Sequence, residues 1–369
     1  MSDSSDTLDR TALYDLHLEL GGRMVPFAGH ELPVRYGPGP VAEHNQARTA
    51  AALFDVSHMG IVQLRGDDVP GALERLVPSN MRELKPQRMR YTFLTTPTGG
   101  VIDDLMVTND GEGLTLVVNA ANKAADLAHL EAGLDGVDVI SRPDLSLLAL
   151  QGPTAVDALA RLAPEVADLV FMETATITID GVGIGVSRSG YTGEDGFELS
   201  VPTDHADAIA RRLLAEPEVE PAGLAARDSL RLEAGLCLHG HDLSTEITPI
   251  EAGLLWAIQK RRRTEGGFIG DDVILRQIAD GAPRHRVGIR PSGRKPVREG
   301  AVLRGADGTE IGEITSGGFG PTVGAPVAMG FVATGHEATG AELVADVRGT
   351  EVPCTVADLP FAPHRYHRG

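Results

Sequence analysis

The chain has 369 residues, 42% of them hydrophobic, and 52 acidic against 33 basic side chains, a formal net charge of −19. That length exceeds one ordinary hydrophobic core and implies two or three domains. The acidic balance excludes a general nucleic-acid binder, whose phosphates it would repel, and no apolar run approaches the roughly 20 residues needed to cross a bilayer as a helix.

The opening MSDSSDTLDR is acidic and polar. It lacks the basic-plus-apolar layout of a secretory signal and the Arg-rich character of a transit peptide, so a cytoplasmic location is expected. After the Gly/Pro-rich RYGPGP, the segment VAEHNQARTAAAL (41–53) has the composition and apolar spacing of a helix. DDVPGALERLV (67–77) reads the same way, with acids ahead of its first turn. YTFLT (91–95), VIDDLMVT (101–108) and LTLVV (114–118) read as strands; TPTGG joins the first two, and NDGEG has the look of a hairpin turn before the third. A helix from about Asn122 to Leu134 follows, then the buried-type strand LSLLAL (145–150). GPTAVDALARLA (152–163) suits a helix, with Pro153 in the first turn where proline is tolerated. Strands at about 174–179 and 183–188 precede SGYTGEDGFELSV (189–201), and helices at 204–215 and 221–234 come next. Strands and helices alternate without a run of strict β-α-β units, which favours the α+β class.

From Arg284 the texture changes. HRVGIRP, GAVLRG, GTEIGEITSGG, APVAMGFV, AELVADVRG and TEVPCTVADLP are six short strand candidates punctuated by glycine and proline, the pattern of a small all-β barrel or sandwich. A domain boundary is expected near GAPRH (281–285), separating residues 1–282 from 283–369.

Several motifs carry potential chemistry. In a strand, Val101, Asp103, Leu105 and Val107 share one face, and Ile102, Asp104, Met106 and Thr108 the other. Asp103 and Asp104 therefore do not form a close pair of catalytic acids of the protease or glycosidase kind. One of them suits a ligand cleft and the other a structural cap, and alternation leaves open which is which; a fraying strand end explains both equally well. SGYTGEDGFE offers glycines for tight turns and three acids, Glu194, Asp195 and Glu198, that accept hydrogen bonds; a solvated hairpin is the plainer reading. Its glycine spacing fits no dinucleotide fingerprint, and SGGFGPTVG (316–324) lacks the Gly-Lys-Ser/Thr ending of a phosphate loop. AGLAARDSLRLEAGLCLHGHD (222–242) sets Arg227 and Arg231 four residues apart on one helix face, the usual place for an anion anchor or a structural salt bridge. His239 and His241 lack a third ligand at suitable spacing, so a metal site is not expected. Cys237 and Cys354 are too few for a disulfide framework and read as reduced thiols. No serine or cysteine sits in a nucleophile-elbow context. KRRR, Lys260 to Arg263, is a local basic patch that suits either an acidic carrier protein or a solvated turn.

Taken in order, MVPFAGHELPV, LFDVSHMG, GGVIDDLMV, LALQGP, SGYTGEDGFELSVP, AGLAARDSLRLEAGLCL and EITSGGFGPT resemble the aminomethyltransferase family, the tetrahydrofolate-dependent T-proteins of the glycine cleavage system. The likeness runs from about Leu13 to Tyr366. It implies a three-domain cloverleaf around a central folate channel, two α+β parts within 1–282 and a C-terminal β-barrel in 283–369. It also implies transfer of a one-carbon unit from the aminomethyl-lipoyl arm of a partner H-protein to tetrahydrofolate, with release of ammonia and no metal. By the same resemblance Asp104 matches the family's critical aspartate and Glu198 its pterin-ring acceptor. Arg227 matches an arginine of the folate site, and Tyr366 a residue of the tail that reaches it. Tyr91, Met59 and Asn119 match further pocket positions. Two positions depart from the family: His30 replaces a common tryptophan, and Thr108 stands where some members have tyrosine. A related enzyme using the same folate site on a small methylated amine or sulfonium donor is the alternative reading, and a non-catalytic folate-binding scaffold of the kind that assists iron–sulfur assembly is a third.

Overall fold

A computed structural model describes residues 8–369. Two compact units are each assembled from separated stretches of chain: one from Met1–Ile61, Arg142–Asp228 and Arg365–Gly369, the other from Val62–Ser141 and Ser229–His364.

The first unit is built on a six-stranded sheet. Its strands lie in the order Thr174–Ile179, Val182–Ser187, Gly196–Pro202, Leu145–Gln151, Ala51–Asp55 and Val219–Pro221. All neighbours are antiparallel except the last pair, Ala51–Asp55 with Val219–Pro221. Leu145–Gln151 occupies the middle because its apolar run is buried on both faces. Its neighbour Gly196–Pro202 alternates: Phe197, Leu199 and Val201 enter the core, and Glu198 and Ser200 point the other way, only partly buried. The helix Ala206–Leu214 closes that core with Ala206, Ile209, Ala210 and Leu213, an i, i+3, i+4, i+7 stripe. Asp9–Arg10, His30–Arg35 and Arg23–Phe27 make a small separate sheet.

Three helices are shorter than their composition suggested, the one expected at 67–77 being reduced to Val69–Leu73. Pro40–Thr49 stops before Ala51–Asp55, which is strand and entirely buried. Alanine favours a helix, but pairing with Leu145–Gln151 in the middle of the sheet overrides a propensity of a few tenths of a kcal/mol per residue. The stretch at 152–163 yields only Ala155–Ala160 as α-helix.

In the second unit, a five-stranded sheet has the order Arg88–Thr95, Val101–Asn109, Leu114–Val118, Gly60–Gly66, Val137–Ser141. NDGEG forms the expected tight connection: Asp110 Oδ1 accepts from the amides of Glu112 and Gly113, and its Oδ2 accepts from the Thr115 hydroxyl. The helix Lys123–Gly133 contributes Leu130 to a core that includes Leu105, Val107 and Leu116.

All six strand candidates after Arg284 form a closed antiparallel barrel. The order is Arg284–Pro291, Ala325–Ala333, Glu310–Gly320, Val302–Arg304, Glu342–Val347, Thr350–Ala357. Closure removes the free edges that short strands would otherwise expose. Ile289, Leu303, Ile314, Val332, Leu343 and Val356 fill the interior. A bulge between Ile314 and Ser316 lets Thr315 and Ser316 both turn to Asp242, whose fully buried carboxylate also accepts from Arg231 Nη1 at 2.9 Å and the Leu238 amide at 3.0 Å. Arg231 is therefore a structural salt bridge.

Candidate active site

The acidic pair sits where its strand is irregular. Val101, Asp103, Leu105 and Val107 are buried, whereas Ile102, Asp104 and Met106 are only partly so, as alternation requires. Asp104 pairs with Phe93 and Asp103 with Leu94, but the next partner of Thr95 is Val101, so Ile102 is bulged out beside the acids. Bulges of this kind re-aim side chains.

Although they point to opposite faces, the two carboxylates share one donor. Asn119 Nδ2 lies 2.9 Å from Asp103 Oδ1 and 2.9 Å from Asp104 Oδ1. The Asn119 amide N–H adds a bond to Asp103 Oδ2 at 3.0 Å, and Asn122 Nδ2 one to Asp103 Oδ1 at 2.7 Å. Asp104 Oδ2 instead accepts from the Tyr91 hydroxyl at 2.7 Å. Burial and the charge of Asp103 push the Asp104 carboxyl up to about 6, while Tyr91, His239 and Asn119 hold it from rising further. Asp104 is thus a carboxylate poised near neutrality, the range in which a side chain both gives and takes protons.

Glu198, Arg227 and Tyr191 form a second set, in the first unit. Of the three acids in SGYTGEDGFE, two are tied up within the fold: Glu194 accepts from Arg48 Nη1 at 2.9 Å, and Asp195 is gripped by Arg188, with Nη2 to Oδ2 at 2.5 Å. Among the described residues Glu198 has only a long contact from the Ser189 hydroxyl, 3.4 Å, and the charge of Arg227. Burial raises the Glu198 carboxyl and lowers the Arg227 guanidinium. Arg227 lies over the Tyr191 ring, 4.9 Å from its centroid, and its Nη1 is buried without a hydrogen-bond partner among the described residues. The loop is not a solvated hairpin, because Thr192, Gly193 and Glu194 are buried. Two glycines make it possible: Gly193 has φ +79°, and a Cβ at Gly190 would lie 1.9 Å from Gln151 Oε1.

The tail returns to this loop. The Arg365 amide bonds to the Gly193 carbonyl, and the Tyr366 ring stacks on Phe171 at 4.1 Å between centroids. Burial pushes the Tyr366 phenol up to about 12. Met59 lies in the turn after Ala51–Asp55, its amide on the Val56 carbonyl, and joins neither set of hydrogen bonds. His30 is turned to the Ala28 carbonyl and edges onto His58.

Other sequence motifs resolve into structure. His239 approaches Asn122 at 3.0 Å and His241 pairs with Glu299 at 2.5 Å, so the two imidazoles do not converge. Among the described residues no group of three His, Cys, Asp or Glu side chains is arranged to hold a metal ion. Cys237 and Cys354 are not joined in a disulfide, and both are buried. Asn122, Tyr191 and Trp256, which stacks on Tyr91, escaped the sequence reading. For Asn122 a signal existed in NAAN, two amides three residues apart directly after a strand.

Two family models tile this chain: the GCVT N-terminal domain over residues 13–262 and the glycine cleavage T-protein C-terminal barrel domain over residues 284–362. The chain belongs to the glycine cleavage T-protein family. Among relatives of this T-protein chain, the mitochondrial aminomethyltransferase of Dictyostelium discoideum is 42% identical, with 99% of this chain and 95% of that relative aligned. That of Pisum sativum is 44% identical over 98% of this chain and 91% of the relative. The crystal structure of the glycine cleavage system aminomethyltransferase T from Bartonella henselae superposes with a TM-score of 0.93 at 41% identity, covering 98% of this chain and all of that one. The T-protein fold, α+β with a C-terminal barrel, is thereby shared across nearly the whole length.

Proposed function

We propose that Asp104 is the functional carboxylate of a one-carbon transfer to tetrahydrofolate, held by Tyr91 and Asn119, and that Glu198 and Arg227 grip the pterin. As a member of the T-protein family the chain is a tetrahydrofolate-dependent aminomethyltransferase of the glycine cleavage system. The aminomethyl group on the lipoyl sulfur of H-protein gives its carbon to tetrahydrofolate, ammonia leaves, and the lipoyl arm is left reduced on its carrier.

Tetrahydrofolate supplies the nucleophilic nitrogen; this chain's residues supply orientation and charge. The edge of a reduced pterin is rich in N–H donors and asks for acceptors. Glu198, left with one long internal contact, suits that task. The unpartnered Nη1 of Arg227 suits an oxygen of the ligand. Asp104 balances the positive charge that develops as the carbon–sulfur bond loosens, or takes up a proton there, a stabilisation that fixed groups provide better than water. The hydrogen bonds from Tyr91 and Asn119 support this role, since they fix the carboxylate without neutralising it. By family likeness Met59, in a catalytic region 1–282, and Tyr366, in the tail that follows the barrel strands of 283–369, are further folate contacts.

The single observation that carries the assignment is the Asp104 carboxyl on a bulged strand, anchored by two side-chain donors and pushed up to about 6 by burial and Asp103. Two reduced thiols fit a cytoplasmic home, and no helix among the described residues is long and apolar enough to cross a membrane; the relatives above are named mitochondrial. The deciding assay supplies purified chain with aminomethyl-loaded lipoyl H-protein and tetrahydrofolate. Ammonia and methylene-tetrahydrofolate should appear together. Turnover with a free methylated amine or sulfonium donor, and none with H-protein, would overturn the reading in favour of a demethylase.

A further inference from the structure

Behind the Asp103–Asp104 pair lies a third acid. The helix Lys123–Gly133 carries Asp126 with no accessible surface, and neither of its carboxyl oxygens meets an N–H or O–H donor among the described residues. An ionised carboxylate in that position would be a buried charge without compensation. Its carboxyl is within hydrogen-bonding reach of Asp103. Asp103 is the opposite case: equally inaccessible, it gathers N–H bonds from the Asn119 backbone, Asn119 Nδ2 and Asn122 Nδ2. Two carboxyls in contact need one proton between them, and it belongs on the one that has no other donor.

We infer that Asp126 is a neutral carboxylic acid that donates a hydrogen bond to Asp103 and, through the amides Asp103 holds, acts as a positioning residue for Asp104. This rests on the reading of Asp104 as the functional carboxylate. Burial and the neighbouring Asp103 and Asp104 push the Asp126 carboxyl up to about 9, in the same direction. The other groups around the cluster are Tyr91 on the adjacent strand and His239, whose Nδ1 is 3.9 Å from Asp103 Oδ1 and whose Nε2 is buried without a partner among the described residues. On its own helix Asp126 has Lys123 three residues before it and His129 three after, the latter held down by burial.

The linkage to Asp104 is geometric. Asn119 Nδ2 has two protons and three acceptors: Asp103 Oδ1, the Asp104 carbonyl and Asp104 Oδ1. Its orientation follows wherever the Asp103 carboxylate is pinned. Asp126 supplies the one hydrogen bond to Asp103 that comes from outside the Asn119–Asn122 turn. A neutral acid does this without adding a third negative charge beside Asp104.

Infrared difference spectra of the full-length protein near neutral pH test the proton directly. The wild-type minus Asp126→Asn difference should contain a protonated-carboxyl C=O band that the variant lacks; no such band in the difference overturns the inference. Kinetics test the positioning role. Asp126→Ala should lower kcat about tenfold, the worth of a hydrogen bond to a charged group, with the KM for tetrahydrofolate held within about twofold. Asp126→Asn, which keeps a donor, should recover most of that loss. A folded Asp126→Ala with wild-type kcat would end the positioning role. Should the alanine variant not fold, the acid limb of the kcat profile in Asp126→Asn decides: it stays within about half a pH unit if a neutral group was replaced, and drops further if a charge beside Asp104 was removed. Asp104→Asn judges the underlying reading separately: normal transfer there would remove the role of Asp104 and leave the infrared result standing.

Discussion

The Tyr91 hydroxyl donates to Asp104 Oδ2 at 2.7 Å while the Tyr91 ring lies parallel to Trp256, 5.5 Å between centroids and 16° between planes. Trp256 is the sole tryptophan and is 60% exposed. A large aromatic left in water is unusual, and here it does something specific: it fixes one face of the ring whose hydroxyl steadies the carboxylate, with Phe93 edge-on at 5.1 Å. The orientation of Asp104 is thus set from both ends, by an aromatic stack on one side and by Asn119 on the other.

Replacing Asp104 by asparagine keeps the shape and removes the charge. Transfer from loaded H-protein should fall by about two orders of magnitude or more, the usual cost of losing a charge placed for the transition state. Stability should move the other way. The Asp104 carboxyl is raised from 3.8 to about 6, so between those values the folded state holds a proton that the unfolded state has released. Stability conferred by that proton is lost as pH rises through the window, and above it the ionised Asp104 is a net cost. Thermal melts at about pH 7.5 should show Asp104→Asn more stable than wild type by roughly 1 kcal/mol, and the difference should vanish near pH 4. A variant less stable at neutral pH would contradict the electrostatic account.

Tyr91→Phe removes one donor that favours the charged form of Asp104. The carboxyl should then titrate higher, so the acid limb of kcat, expected near pH 6 in the wild type, should move up by about half to one unit. At alkaline pH the variant should regain most of its rate. A uniform loss at all pH values would instead mean that the hydroxyl contacts the reacting groups directly.

How much of this was written in the sequence differs from residue to residue. The opposite facing of Asp103 and Asp104 follows from a period of two and needs no structure, and the barrel's six strands could be read from their glycine punctuation. The bridge between the acids could not, because Asn119 meets them only after the chain turns through NDGEG and runs back as Leu114–Val118. Asp126 was invisible for a similar reason. KAADLAHLEAG has the polar texture of a surface helix, and only its packing against the sheet buries that carboxyl. Nor does spacing reveal that Arg48, 146 residues from Glu194 in sequence, and Arg188, just ahead of the motif, consume two of the three acids of GYTGEDGFE.

That division of labour predicts which acid matters for the folate. Glu198→Gln should raise the KM for tetrahydrofolate about tenfold while changing kcat much less, as expected when binding common to ground and transition states is lost. Glu194→Gln should leave that KM alone and lower thermal stability, because it removes a buried carboxylate charge 2.9 Å from Arg48. Equilibrium titration of tetrahydrofolate by calorimetry, with melts of each variant, separates the two. The reverse pattern would move the pterin contact from Glu198 to Glu194.

The basic run Lys260 to Arg263 tests whether charge on the surface is available to a partner. Arg261 reaches Glu74 and Glu265; Arg262 is 4% exposed, donates to the Glu74 carbonyl at 2.5 Å and lies over Phe268; Arg263 bonds to the carbonyls of Ile258 and Leu255. Three of the four cations are therefore spent on holding the helix Lys260–Glu265 in place. Arg262→Ala should cost about 3 kcal/mol in urea denaturation, since it strips a buried charge from Glu74 and leaves a void against Phe268. Lys260 is exposed, and Lys260→Glu should change stability by less than about 0.5 kcal/mol. With one surface charge left to offer, reversing it should shift the KM for H-protein by no more than about twofold at low salt. An increase well beyond that, fading as salt is added, would return this segment to the role of a docking site for an acidic carrier.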